Sequence, residues 1–501
     1  MILFKHRREL ERLRKLEGER KRDCEEVLKW AAENLGYLAR QICSREELSS
    51  LVAGGISAPD LFQHIKERIK TAPGVVLGYH LFGEGWPRIP VKVLARFRDR
   101  HIYAVGRTGS GKTNLIRNLV LQDLVAGNGF TVLAPELELI EEEILPYIPE
   151  ERVEDVIYVD PGDTEKPVSF NPLQLEAGED IDRTVDDLLV IFERAVGLPG
   201  ARMRPILRNA LYALVERGGT TLLDLYTLLS RDNSSWRDEV IRTTKNTMMA
   251  RFFYEDYPTL PRTAHLPITN RLDSFVSARG LRGILCSPQS SFSFRKAMDE
   301  GKIVLFNLSD AVLGQGNAEL LGQLVVSRFQ QAMLSRAKQS KSARRPFYLY
   351  IDEFQSFVST AQEGYEKILS RARKYNVGMI LSHQQTKQVP AELLAEILGN
   401  VHTIVCFNVS QSDAKKLAKE FVDKDVYDQV AILNPENLGT LSIGEAFCKI
   451  GVNWVKMKTY LADQNPDLNW ANYVKQASRD RYGITPLEET SAPKEVEGFL
   501  E

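Results

Sequence analysis

The sequence predicts an α/β protein with a mostly parallel central sheet and an all-helical insertion. Three observations predict it. The apolar run Ile102–Val105 leads straight into the glycine-rich stretch Gly106–Thr113, then into a helical pattern from Asn114 to Val125. A second apolar run, Phe130–Ala134, follows, so strand, helix and strand alternate as they do in parallel sheets. From about Gly178 to Leu260 the apolar spacing turns helical, and strand-like runs resume at Ile303.

Composition sets the outer bounds. With 501 residues the chain is too long for one simple core and should form two or three domains. Hydrophobic residues at 43% and charged residues at 26% are ordinary for a globular protein and exclude wholesale disorder. A net charge of −2 argues against a broad basic face, so any contact with DNA must be local, at a pore loop or a groove. The five cysteines, Cys24, Cys43, Cys286, Cys406 and Cys448, form no CxxC pair and read as reduced thiols. Seven scattered histidines offer no metal spacing. The apolar Met1–Phe4 is too short for a secretory signal, and no window reaches the roughly 20 apolar residues of a membrane span. The expectation is a cytoplasmic chain that a partner would have to recruit to a membrane.

Residues 1–72 read as a charged helical segment. Met1 to Arg22 carries nine Lys/Arg against four Asp/Glu, with Leu3, Leu10, Leu13 and Leu16 as a thin apolar stripe. That pattern fits an interaction arm, or a solvated helix that packs by its stripe. Residues 73–177 read as the first part of the α/β domain, with strands expected at Val75–Leu77, Val91–Leu94, Ile102–Val105, Phe130–Ala134 and Val156–Val159. Residues 178–260 are the helical insertion, carried by Val185, Leu188, Leu189, Phe192 and Val196, then Leu207, Leu211 and Leu214, then Leu222, Leu225, Leu228 and Leu229. Residues 261–462 complete the domain, with strands at Ile303–Phe306, Tyr348–Ile351, Met379–Leu381 and Thr403–Phe407 and helices at Ala318–Ala337 and Tyr365–Tyr375. The basic stretch Lys338–Arg345 reads as an exposed connection. Residues 463–501 read as a polar tail with one short helix.

The chemistry begins with Gly106-Arg107-Thr108-Gly109-Ser110-Gly111-Lys112-Thr113, a full GxxxxGK[ST] match between a strand and a helix. Glycines let such a loop curl so that successive N–H groups cradle phosphate oxygens, and the following helix from Asn114 points its positive end at them. Lys112 should reach the β- and γ-phosphates of ATP, and the Thr113 hydroxyl should ligate Mg²⁺. Phe347–Ile351 is an apolar run ending in Asp352-Glu353. Asp352 should hold Mg²⁺ and Glu353 should act as general base toward water. Ser382-His383-Gln384 ends the next run, where Gln384 suits a γ-phosphate sensor. His383 has no clustered partners for a metal. Arg371 and Arg373 end a helix, placed for an arginine finger in a ring or for a solvated face.

Taken together, the chain resembles the FtsK/HerA superfamily, and within it the TraG/TraD-like coupling ATPases of conjugative type IV secretion. The resemblance rests on Gly106–Thr113, the helical insertion, Ile351-Asp352-Glu353-Phe354, Ala372-Arg373-Lys374-Tyr375 and Ser382-His383-Gln384 in that order, with Asp160-Pro161 and Phe170-Asn171-Pro172-Leu173, over roughly residues 75–460. It implies a RecA-like P-loop NTPase, a homo-hexameric ring that pumps DNA with ATP, Arg373 as the finger acting in trans and Gln384 as sensor. It also implies an insertion facing DNA or a relaxase, and a relaxase or secretion-channel protein as partner. Three features depart from the family pattern: no N-terminal membrane helices, Ala134-Pro135-Glu136-Leu137-Glu138 where an acidic motif is usual, and Asn408, to which no role is assigned, where arginine is common. A helical N-terminus also argues against the β-barrel of HerA-type motors.

The leading functional expectation is an ATP-driven DNA translocase in conjugative DNA transfer or related DNA processing, with single- or double-stranded DNA unresolved. The alternatives are a protein-handling assembly ATPase of a type IV secretion machine and a nucleotide-gated scaffold. The intact set Lys112, Thr113, Asp352 and Glu353 speaks against the scaffold, and the absence of an LSGGQ-like signature against a transporter of the ABC class.

Overall fold

Uninterrupted apolar runs such as Phe347–Ile351 cannot leave one face in water, and they become strands buried on both faces. The computed structural model describes residues 15–29, 45–81, 89–195, 203–230, 234–421, 435–461 and 465–486. Leu3, Leu10, Leu13, Cys43 and Val196 lie outside the described residues. Eleven strands are present among those described: β1 (Gly74–His80), β2 (Pro90–Leu94), β3 (Ile102–Val105), β4 (Gly129–Ala134), β5 (Val156–Val159), β6 (Ile303–Asn307), β7 (Phe347–Ile351), β8 (Val377–His383), β9 (Thr403–Cys406), β10 (Glu445–Ile450) and β11 (Asn453–Lys458). The pairing is mixed and mostly parallel, as the sequence predicts.

The chain divides into two compact units. The first comprises Met1–Leu119, Gln384–Thr386 and Val401–Ala462. Its strands run in the order β2-β1-β11-β10-β9-β3, antiparallel except where β3 pairs with β9 in parallel register, Val105 opposite Cys406. The hairpin β10–β11 was not anticipated from the sequence. Helices Arg45–Ala53 and Ala58–Thr71 precede the strands. The second of these turns Leu61, Ile65 and Ile69 inward, and the buried Lys92 caps its C-terminal end by donating to the Ile69, Lys70 and Ala72 carbonyls. Residues 15–29 are helical, with Cys24 buried and Leu16 half exposed.

The second unit comprises Val120–His383, Lys387–Asn400 and Asp463–Glu501. Its strands are all parallel, in the order β8-β7-β4-β6-β5. Between β5 and β6 the described chain is helical, from Ile181–Ala195 through Met203–Arg217, Leu222–Leu229, Leu266–Val276 and Arg279–Leu285 to Phe294–Glu300. The helical run therefore continues past Leu260 up to β6. Val185, Leu188, Leu189 and Phe192, then Leu207, Leu211 and Leu214, are all buried, as their spacing requires. Helix Gln315–Ser335 is buried from Leu320 onward, which explains its weak amphipathicity.

The polar C-terminal region holds a helix of 15 residues, Leu468–Tyr482, capped by Asp467. It packs Ala471 and Val474 inward, joins Trp470 Nε1 to the Ile148 carbonyl at 2.8 Å, and places Ser478 Oγ 2.8 Å from the backbone N–H of Tyr158. No helix among the described residues is long and apolar enough to cross a membrane. Cys24, Cys286, Cys406 and Cys448 are free and buried. Burial pushes the Cys286 thiol up to about 12 and raises Cys406 and Cys448 as well, so all three are protonated and unreactive at neutral pH.

Candidate nucleotide site

The glycine-rich loop leaves β3 at Val105 and enters the helix Lys112–Val125. Its glycines are sterically required. A Cβ on Gly106 would lie 2.6 Å from both the Phe407 Cβ and the Ser110 Oγ. Gly109 and Gly111 hold φ of +72° and +116°, and a Cβ on Gly111 would press to 3.3 Å against Gly444 and the Phe407 ring. The loop is braced from outside. The Arg107 N–H donates to the Asn408 carbonyl at 2.8 Å, and the Gly444 N–H donates to the Ser110 carbonyl at 2.9 Å. Asn408, Phe407 and Gly444 are thus the loop's supports, and sequence reasoning missed all three.

Inside this cradle Lys112 is only 4% exposed, with Nζ 3.5 Å from the Arg107 carbonyl. The Ser110 hydroxyl is buried and has no hydrogen-bond partner among the described residues. A buried ammonium, an unsatisfied hydroxyl and a helix N-terminus meet at one curled loop, and this donor set fits a phosphate group. Arg107, Thr108 and Gly109 are exposed on the outer rim, while Thr113 and Asn114 are half-buried in the first turn. The Asn114 side chain donates to the Tyr460 carbonyl at 3.0 Å, and Asn118 does the same at 2.9 Å.

In the second unit, Asp352 and Glu353 stand directly past the C-terminal end of β7, where ligands gather in parallel sheets. Asp352 is 1% exposed. Its N–H donates to the Leu133 carbonyl at 3.1 Å, which fixes the backbone. Its Oδ1 accepts from the Ser382 hydroxyl and from the Glu353 N–H at 3.0 Å. Glu353 takes a left-handed φ of 45°, uncommon for a residue with a side chain, and Gln355 Nε2 donates to its Oε2 at 2.8 Å. Backbone strain at a half-buried carboxylate is a mark of functional positioning.

Strand β8 runs beside β7 in register, Ile351 opposite Leu381, and this brings Ser382 next to Asp352. His383 is fully buried and meets the Phe354 ring edge-on at 5.0 Å. Gln384 follows as a half-buried residue. Just beyond it, Thr386 is anchored to Asp413 Oδ1 through both its N–H at 3.2 Å and its hydroxyl at 2.5 Å. Arg371 ends the helix Val358–Arg371, and Arg373 sits in the tight turn Ala372–Tyr375 that follows, both exposed. No cluster of His, Cys, Asp and Glu able to hold a metal unaided is found among the described residues.

Comparison with known proteins places the fold. A family model described as the TraM recognition site of TraD and TraG matches residues 346–432. No curated protein matches the sequence. The chain is similar in structure to the unbound bacterial conjugative coupling protein TrwBΔN70, with 13% identity, 79% of this chain and 92% of that chain covered, and a TM-score of 0.55. It is similar to the plasmid coupling protein TrwB in complex with ADP and Mg²⁺, at 13% identity, 79% and 97% coverage, and a TM-score of 0.50. It is also similar to VirB4 of Thermoanaerobacter pseudethanolicus, at 15% identity, 79% and 98% coverage, and a TM-score of 0.52. The fold is the RecA-like α/β fold of the coupling proteins, and the resemblance to TraG and TraD read from the motifs has its counterpart in the matched segment.

Proposed function

We propose that this chain is an ATP-driven DNA translocase that works as a homo-hexameric coupling ATPase in conjugative DNA transfer or related DNA processing. One observation carries the reading. Asp352, Glu353, Arg373 and Gln384 all fall inside the segment 346–432 that matches TraD and TraG, in a chain that also carries a sterically complete phosphate loop.

The roles follow from chemistry. The loop N–H groups and Lys112 would bind the phosphates of ATP, and the Thr113 hydroxyl and Asp352 are the groups that would ligate Mg²⁺. When bound, Mg²⁺ draws charge from the β- and γ-phosphates. Ser382 donates to Asp352 Oδ1 and so holds the carboxylate in one orientation. Glu353 orients a water and accepts its proton, held ready by its strained backbone and by Gln355. Gln384 reads the terminal phosphate from the end of β8, and Arg373 reaches a neighbouring subunit's nucleotide to stabilise charge developing on the transferred group. The matched segment is named for recognition of TraM, and on that ground we also assign this chain a protein partner; the resemblance to coupling ATPases makes a relaxase or a secretion-channel component the expected one.

The likeness to VirB4, at a TM-score of 0.52, favours a second reading, a protein-handling assembly ATPase of a type IV secretion machine. Steady-state ATP hydrolysis without DNA, with single-stranded DNA and with duplex DNA separates the two. The translocase reading expects strong stimulation by one DNA form. Turnover indifferent to both would replace it with the protein-handling machine.

A further inference from the structure

The turn Ala372–Tyr375 is fastened far more firmly than an exposed connection requires. It closes on Asn376 in the left-handed region, φ 58°, whose side-chain amide donates to the Arg344 carbonyl at 2.8 Å. Arg344 lies in the basic loop that the sequence marks as solvated, yet its guanidinium is half-buried and spent on backbone. Nε donates to the Arg336 carbonyl at 3.1 Å, Nη2 to the Gln339 carbonyl at 2.7 Å, and Nη1 to the Lys374 carbonyl within the turn. Its plane stands 5.3 Å from the Tyr375 ring centroid. Arg336, fully buried, adds a second tie, with Nη1 to the Tyr375 carbonyl at 3.0 Å, Nη2 to the Arg345 carbonyl at 2.9 Å and Nε paired with Asp299 at 3.2 Å. The two carbonyls that follow Arg373 are therefore each held by an arginine. Arg373 itself is exposed and makes no side-chain hydrogen bond or ion pair among the described residues.

A clamped backbone beneath a free guanidinium is the arrangement that an arginine acting outside its own subunit needs. Fixing the main chain removes most of the ordering cost of reaching a distant phosphate, and a displacement of about 1 Å at such a group costs roughly 100-fold in rate. We propose that Arg344, backed by Arg336, is a positioning residue for Arg373. The task requires arginine, because a planar fork can serve three carbonyls and lie against a tyrosine while a lysine ammonium cannot. The proposal rests on Arg373 being the finger.

A double-mutant cycle on ATP turnover of the full-length protein with stimulating DNA tests it. Arg373→Ala is expected to lower kcat by roughly 10³-fold. Arg344→Ala is expected to lower kcat by about 10- to 100-fold with KM unchanged. Arg344→Ala added to Arg373→Ala should lower it no further. Equal fold losses in both backgrounds, or an unchanged kcat in Arg344→Ala, would overturn the positioning role. Full activity in Arg373→Ala would instead overturn the finger reading, and the two failures are distinguished by which single variant is silent. If Arg344→Ala does not fold, Arg344→Lys enters the same cycle. It is expected to show the same kcat loss and the same non-additivity, with faster amide exchange at Asn376, and normal kcat in it would overturn the proposal.

Discussion

Ser382 donates its hydroxyl to Asp352 Oδ1 across the parallel register of β7 and β8. Both groups are buried, so the bond holds the carboxylate in one orientation. Ser382→Ala should therefore raise the Mg²⁺ concentration needed for half-maximal ATP turnover by roughly tenfold, with kcat at saturating Mg²⁺ near normal. A Mg²⁺ titration that overlays the parent protein would refute the orienting role.

Lys112 is almost wholly buried in a loop that supplies an anion with N–H donors and one positive charge. Lys112→Ala should abolish hydrolysis and weaken nucleotide binding, while the melting temperature without nucleotide stays within a few degrees. Fluorescent-nucleotide titration and a thermal melt check this together. Residual turnover above about 1% of normal would contradict the assignment.

Glu353 sits in a backbone conformation that costs on the order of 1–3 kcal/mol. Glu353→Gln keeps the shape and the bond from Gln355 while removing the base. It should bind ATP normally and turn over at least 100-fold more slowly. Relief of strain gives a second readout, since Glu353→Gly should melt higher than Glu353→Gln. Normal turnover in Glu353→Gln would remove Glu353 from the reaction.

Burial lowers the His80 imidazole to about 4, and His402 falls to about 4 through burial first and the nearby Arg100 second. In the unfolded chain both titrate near 6.5. Between these values the unfolded state binds protons that the folded state refuses. The stability these groups contribute is complete above pH 6.5 and is lost as pH falls toward 4. Urea midpoints measured from pH 7 to pH 4.5 should fall, and the His80→Phe variant should fall less steeply by about one proton. Parallel slopes would show that His80 titrates normally in the fold.

What was legible in the sequence follows from where water is absent. Ile102–Val105, Phe130–Ala134 and Phe347–Ile351 are buried on both faces, so their apolar runs announce them. The hairpin β10–β11 escaped because its apolar runs are short and edged by charge. Glu445 and Lys449 flank the three-residue run Ala446–Cys448, and β11 carries two lysines and ends on an exposed one. Asn408 supports the phosphate loop with a backbone carbonyl, a contact no side chain encodes. Arg344 was read as solvated because a basic loop usually is, and only the folded backbone shows the carbonyls that gather around it.

The helix Leu468–Tyr482 has a consequence beyond packing. Strand β5 is the outermost of its parallel set, and its Tyr158 N–H is taken by the Ser478 hydroxyl while Val168 bridges Gly483. A bare outer strand offers a template on which any other chain can add a strand, and repetition of that step gives fibres. A side chain from the C-terminal helix occupies the template without being able to extend it. Association between copies of this chain is thereby steered away from open-ended growth along the sheet and left to other surfaces.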